Sequence, residues 1–413
     1  ERQIAGGKAL KYDFTTVIDR HGKDSLALDG LGRGDHFSPD WPKEGFDVIP
    51  MWVADMNFPT VPTIQEAIIE RAKHPMFGYY RPTKEYYRAI IDWQRTRNGV
   101  EDLHVRDIGY ENGVLGGVIS AISAFASPGD SILLHSPTYM GFTRCITENG
   151  FNIIHSPLKP DENGVMRMDY EDMDYKLRKY HIHVAIFCSP HNPCGRVWER
   201  EEIEKAMEVY RKNQCVVISD EIWSDLTLNG HKHTPTQSVS EDAKNRTIAF
   251  YAPSKTFNLA GLIGSYHIIY NPFLRDLVQN KASKSQYNEM NVLSMHALIG
   301  AYKPEGAEWV DELRQVLTEN TGYACEHIWQ NYPGVKVNRP EGTYMLFLDL
   351  SEWCEAHGQT LDEVLKAGWD VGVAWQDGRP FHGPCAIRMN LALPMSRVRE
   401  AFDRLDKYVF AVK

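Results

Sequence analysis

Lys255 and Asp220 are the residues whose types and settings point most directly to chemistry. Lys255 follows the apolar run Thr247-Ile248-Ala249-Phe250-Tyr251, and Asp220 follows Cys215-Val216-Val217-Ile218-Ser219. At the end of a buried run, desolvation disfavours the ammonium form of a lysine and leaves a nucleophilic amine. Read singly, each residue has an ordinary explanation: a strand-end lysine reaches solvent, and a lone aspartate caps a helix or joins a salt bridge. Read together, they are two groups that could flank pyridoxal 5'-phosphate. Lys255 would bind the aldehyde as a Schiff base, and Asp220 would keep the pyridine nitrogen protonated so that the ring becomes an electron sink. Asn192 offers an amide, and Trp223 an indole N–H, to the phenolic oxygen of such a cofactor. A turn and core packing are the plainer readings of these two.

The elements that must position these groups are legible as patterns. From about residue 105 to 290, short apolar runs at 131–134, 184–187, 215–218 and 247–251 alternate with longer amphipathic segments. Continuous apolar runs of this length read as strands buried on both faces of a mostly parallel sheet, with helices as crossovers. Residues 199–212 place Ile203, Ala206, Met207 and Tyr210 on one helix face. In such sheets ligands bind beyond the carboxyl ends of strands, where Asn192, Asp220 and Lys255 all fall. After residue 292 the pattern changes to a long helix (308–330), a strand (343–348), a helix (360–367) and a final helix from about Ser396. At 413 residues the chain exceeds one compact core. The expected organisation is a large α/β domain at 61–291, with 1–60 and 292–413 forming a smaller α+β domain.

Composition excludes several classes. A formal charge of -10, without a basic stripe, argues against nucleic acid. No stretch reaches the roughly 18 apolar residues of a membrane span, and the first residues lack an apolar signal core. The seven cysteines are scattered, with no Cys-x-x-Cys pair, which fits a reducing compartment and predicts neither a zinc site nor a disulfide framework. The cytoplasm is the expected location and no metal is expected. His231-Lys232-His233 reads as a solvated loop rather than as two metal ligands.

Three ordered blocks carry a specific resemblance: SPHNPCGRVW (189–198), ISDEIWSDL (218–226) and APSKTFNLAGLIGSY (252–266). They resemble the signature blocks of fold-type-I pyridoxal-phosphate enzymes, the class I/II aminotransferase superfamily with the aspartate-aminotransferase-like fold. Asp19-Arg20-His21-Gly22, Pro50-Met51-Trp52-Val53-Ala54-Asp55-Met56 and Phe77-Gly78-Tyr79 are similar to the MalY/PatB-type carbon–sulfur lyases, the cystathionine β-lyase subgroup. The resemblance implies that Gly113, Val114 and Leu115 form a phosphate cup, in keeping with backbone N–H groups at a helix start. It also implies that Tyr139 stacks on the cofactor ring, that Ser254 adds a hydroxyl to the phosphate, and that Tyr79 reaches it from the second subunit of a homodimer with shared active sites. Arg388 corresponds to the arginine that grips a substrate carboxylate through paired hydrogen bonds, with Asn192, Trp52 and Ala54 beside the substrate.

Four departures qualify this. Ile263 stands where many aminotransferases carry an arginine, and Trp223 where Tyr or His is usual; Asn57 replaces a carboxylate, and residues 375–383 replace the usual loop before Arg388. In that loop Asp377 and Arg379 either read a charged distal group of the substrate or pair with each other at the surface. The implied reaction is β-elimination from an amino acid, releasing a thiol, pyruvate and ammonia. Transamination of a polar amino acid is the alternative, and a regulatory protein that sequesters a transcription activator is the alternative of another class.

Overall fold

The computed structural model describes residues 2–35, 37–286 and 288–411. The chain divides into two compact units, Thr60–Asn192 with Arg196–Asp311, and Glu1–Pro59 with Pro193–Gly195 and Glu312–Lys413.

A seven-stranded sheet organises the larger unit, in the order Ile108–Glu111, Ser265–Ile268, Thr247–Tyr251, Val216–Asp220, Val184–Cys188, Ser131–Leu134, Asn152–His155. Val184–Cys188 and Thr247–Tyr251 are buried at every position, the condition that erases polar alternation from a strand. The five strands from Thr247–Tyr251 to Asn152–His155 pair in parallel. Ser265–Ile268 runs antiparallel to both of its neighbours. Two reversals restore direction, so Ile108–Glu111 ends on the same sheet edge as the parallel set. Register aligns that edge further: Asp220 lies between Cys188 and Phe250. The helix Arg200–Lys212 buries Ile203, Ala206, Met207 and Tyr210, as its spacing predicts. Removing each large apolar side chain from water is worth about 1.5–3 kcal/mol.

Residues 292–311 belong to this unit, whereas the change of pattern after 292 suggested the smaller domain. The helix Val292–Ala301 lies against Pro62–Ala72 closely enough that a Cβ at Gly300 would sit 2.5 Å from the Thr63 carbonyl, and Thr63 Oγ1 donates to Gly300 O at 2.7 Å. Periodicity identifies a helix but not the core that it joins.

The smaller unit carries a four-stranded sheet ordered Met345–Asp349, Ala386–Asn390, Val373–Asp377, Ile49–Met51. The first three are antiparallel and the last pair is parallel. Trp353, Trp375, Ile387, Phe402 and Phe410 join Ile49 and Met51 in its core.

Two buried histidines give the larger unit a pH dependence. His135 lies 3.2 Å from Ser156 O and 3.3 Å from the Tyr210 hydroxyl, and His191 Nε2 lies 2.7 Å from Pro137 O. Burial pulls both imidazoles down to about 4, the charge of His191 adding to the effect on His135. An imidazole titrating near 6.5 when unfolded and near 4 when folded contributes stability above pH 6.5 that is lost as pH falls toward 4, about 3 kcal/mol each at most. Urea midpoints should therefore drop across this window, and less steeply in His135→Gln. An unchanged slope in that variant would assign the acid sensitivity elsewhere.

Candidate active site

The strand ends that share one edge of the seven-stranded sheet bring the candidate residues together. Asp220 is 4 % exposed and accepts from the backbone N–H of Ile222 at 3.1 Å. Burial lifts its carboxyl up to about 7, against the pull of that hydrogen bond and of the Lys255 charge, with Glu221 adding to the rise. Lys255 is half-buried in the short helix Pro253–Thr256, directly after Ser254, and its Nζ lies 5.7 Å from the centre of the buried Trp223 ring. Lys255, Asp220 and Trp223 thus form one cluster. Asn192 is buried at the end of the adjoining loop, which Ser189 N–H ties to Asp220 O at 2.9 Å.

A second cluster surrounds a helix start. Gly113 takes φ +79°, a conformation that disfavours side chains, and caps Val114–Phe125. The first turn of that helix has no acidic residue, and its N–H groups have no partners within the helix. Among the described residues, a Cβ at Gly113 would find only Ile263 Cγ2 within 4 Å, at 3.9 Å. A Cβ at Gly141 would strike both the Tyr139 ring and Leu115 Cδ1, so these two side chains adjoin. A neutral helix start opened by glycine suits a phosphate.

Ile263 adopts φ 50°, ψ 168°, a region that a β-branched residue occupies only under strain. Ile263→Gly should raise stability by about 1–3 kcal/mol in thermal or urea unfolding. A loss of stability would show that the isoleucine side chain contributes more than its backbone costs.

Tyr79 precedes the helix Lys84–Asn98. It is fully exposed, on an open cleft of about 960 Å³ lined by Phe77, Tyr80, Tyr110, Leu262 and Met290.

Around the Lys255 cluster lie polar residues that sequence reading missed. Asp225 accepts from Thr256 Oγ1 at 3.0 Å and from Trp93 Nε1 at 3.2 Å; burial raises its carboxyl, with Arg97 acting against that rise. The residue after Lys255 is thereby anchored to a buried acid. Glu221, wholly buried, accepts from the Tyr251 hydroxyl at 2.9 Å and lies 2.7 Å from His233 Nε2. His233 therefore departs from the expected solvated loop, since its side chain is 3 % exposed. The available signal was Glu221 directly after a strand, a charge with no visible partner until the 231–236 loop folds back.

In the smaller unit, Arg388 sits on Ala386–Asn390 opposite Gln376 and Phe347. It is buried, donates to Trp52 O at 3.1 Å, and holds its guanidinium 4.2 Å from the centre of the Phe381 ring. The Trp52 side chain belongs to the core and donates to Ala27 O at 2.8 Å, so its backbone is what meets Arg388. Ala54 is buried in the same segment, which Asn390 Nδ2 pins through Val53 O (2.9 Å) and Asp55 O (2.7 Å). Arg20 binds Asp55 at 2.9 Å and Asn57 at 2.7 Å, so Asn57 still accepts from the arginine. Arg379 is gripped by Asp377 at 2.9–3.1 Å and also by Asp362. The mutual pairing of Asp377 and Arg379 is thus present, with the Asp377 side chain buried and a second carboxylate, Asp362, on the same guanidinium.

The profile described as Aminotransferase class I and II matches residues 47–405. The chain belongs to this family. Within the family, it is 33% identical over 376 residues to cystathionine beta-lyase PatB of Bacillus subtilis (strain 168), covering 89% of this chain and 95% of the relative. It is 29% identical over 408 residues to protein MalY of Escherichia coli (strain K12), covering 97% and 100%. The crystal structure of cystalysin from Treponema denticola, which contains a pyridoxal 5'-phosphate cofactor, superposes with a TM-score of 0.87 at 30% identity, over 96% of this chain and 98% of that one. The PLP-bound C-S lyase of Staphylococcus hominis gives 0.86 at 27% identity, over 98% and 100%.

Proposed function

We propose that the protein is a pyridoxal-phosphate-dependent carbon–sulfur β-lyase, which cleaves the Cβ–S bond of an amino acid to give a thiol, pyruvate and ammonia. The observation that carries this reading is a buried aspartate clustered with a half-buried lysine and a buried tryptophan where parallel strands end. The names of the relatives add direct support. When bound, the cofactor supplies an aldehyde for the substrate amine and an electron-withdrawing ring. Asp220 would hold the ring nitrogen in its protonated form, and Lys255 would hold the aldehyde and take a proton from the substrate Cα. Gly113, Val114 and Leu115 would present N–H groups to the phosphate, with the Ser254 hydroxyl. Tyr139 would cover a ring face, and Asn192 and Trp223 would donate to the phenolic oxygen. Arg388, oriented by Trp52 O and Phe381, holds the substrate carboxylate.

The protein acts as a homodimer in the cytoplasm. Exposed Met76, Phe77 and Tyr79 beside an apolar cleft favour a second copy that supplies Tyr79 to the phosphate. The seven cysteines form no disulfide among the described residues, which accords with a reducing compartment. Among the described residues, no helix is long and apolar enough to cross a membrane.

Incubation with L-cystathionine or S-alkylcysteines, without any keto acid, should yield pyruvate and thiol in equal amounts. A strict requirement for an added keto acid would make the enzyme an aminotransferase.

A further inference from the structure

The smaller unit contains a pair of thiols that sequence reading left unconnected. Cys354 lies in the helix Ser351–His357, and Cys385 immediately precedes the strand that carries Arg388. Their sulfurs are 4.0 Å apart, in S–H···S contact. One residue ties both backbones: Leu350 N–H donates to Cys385 O at 2.8 Å, and Leu350 O accepts from Cys354 N–H at 2.8 Å. The separation is therefore set by paired backbone bonds and not by chance side-chain drift. A disulfide needs the sulfurs at about 2.05 Å, so the two side chains must close the remaining gap between sulfurs already in contact. Burial is unequal: Cys354 is 7 % exposed, whereas Cys385 is half-buried.

We propose that Cys354 and Cys385 are a modification site, forming a reversible intramolecular disulfide by exchange with low-molecular-weight disulfides. The Cys385 thiolate attacks one sulfur of the small disulfide, and the departing thiolate takes up the proton that Cys385 lost. Cys354 then loses its proton and attacks Cys385 Sγ. The second small thiolate leaves with that proton, so the two protein thiols are oxidised as one small disulfide is reduced to two thiols. Burial and the neighbouring Cys385 push the Cys354 thiol up to about 11, which disfavours it as the first attacker and leaves that step to the less buried Cys385. The bond would close a loop containing the helix Leu361–Asp370 and the strand Val373–Asp377, and would anchor the start of the Arg388 strand.

The test is intact-mass analysis of the full-length, cofactor-loaded protein after incubation with oxidised glutathione. The wild type should lose the mass of two hydrogens, regain it with dithiothreitol, and yield a tryptic peptide joining 354 to 385. Cys354→Ser should stop at one glutathione adduct, on Cys385, and Cys385→Ser should show neither change at this pair. The oxidised wild type should also melt at a higher temperature than the reduced form. Peptide mapping of the wild type needs no variant to fold, and a cross-link elsewhere, glutathione adducts alone, or no reaction would overturn the proposal.

Discussion

Cofactor-loaded Lys255→Ala should turn over amino acids about a thousandfold or more slowly than the wild type, because one substitution removes both the covalent anchor and the base. Trapping separates the two losses. Borohydride should fix the cofactor permanently to the wild-type protein, with an increase in intact mass, and should leave the variant unlabelled. Methylamine supplied to the variant should return part of the activity, since a free amine can replace the base but not the tether. Retention of full pyruvate release by Lys255→Ala would remove the lysine from the reaction. The same variant separates the enzymatic reading from a regulatory one: if the chain sequesters a transcription activator, that binding should survive while turnover does not.

Asp220→Asn should have opposite effects on stability and on catalysis. In the cofactor-free protein, burial raises this carboxyl from 3.8 to about 7. A folded-state acid with a raised pKa costs nothing below pH 3.8, where both states are protonated. Its cost grows as pH rises through the interval and is complete above pH 7. The shift of roughly three units bounds that cost at about 4 kcal/mol. Cofactor-stripped Asp220→Asn should consequently unfold at higher urea than the wild type at pH 8, with the advantage fading toward pH 5. Turnover by the loaded variant should fall on the order of a hundredfold or more, because the ring loses its fixed counter-charge. Equal urea midpoints at pH 8 would mean that the folded protein leaves Asp220 solvated.

What the sequence reveals follows from where its signals are local. Val184–Cys188 and Thr247–Tyr251 announce themselves because burial on both faces leaves unbroken apolar runs, and the ends of those runs point straight to Asn192 and Lys255. The Arg200–Lys212 face is legible from helical period alone. Relations that depend on tertiary closure are not legible. Neither the Glu221–His233 contact nor the anchoring of Thr256 to Asp225 has a sequence pattern, because each joins segments whose approach is set by the sheet. The antiparallel course of Ser265–Ile268 is likewise hidden, since a buried strand reads the same in either direction. Arg379 has a partner that no local pattern shows: Asp362, on a separate helix, joins Asp377 in its ion pairing.

The pairing of Ile49–Met51 with Val373–Asp377 bears on how the protein is made. On the ribosome, every strand of the seven-stranded sheet emerges between residues 108 and 268, so that body can condense while synthesis continues. The leading segment has no such opportunity: its sheet partner, Val373–Asp377, is made only after every strand of the seven-stranded sheet. Until then Ile49, Met51 and Trp52 travel uncovered, which makes the nascent amino-terminal arm a natural client for chaperones. Premature termination anywhere before the last strands would leave that arm permanently without a home.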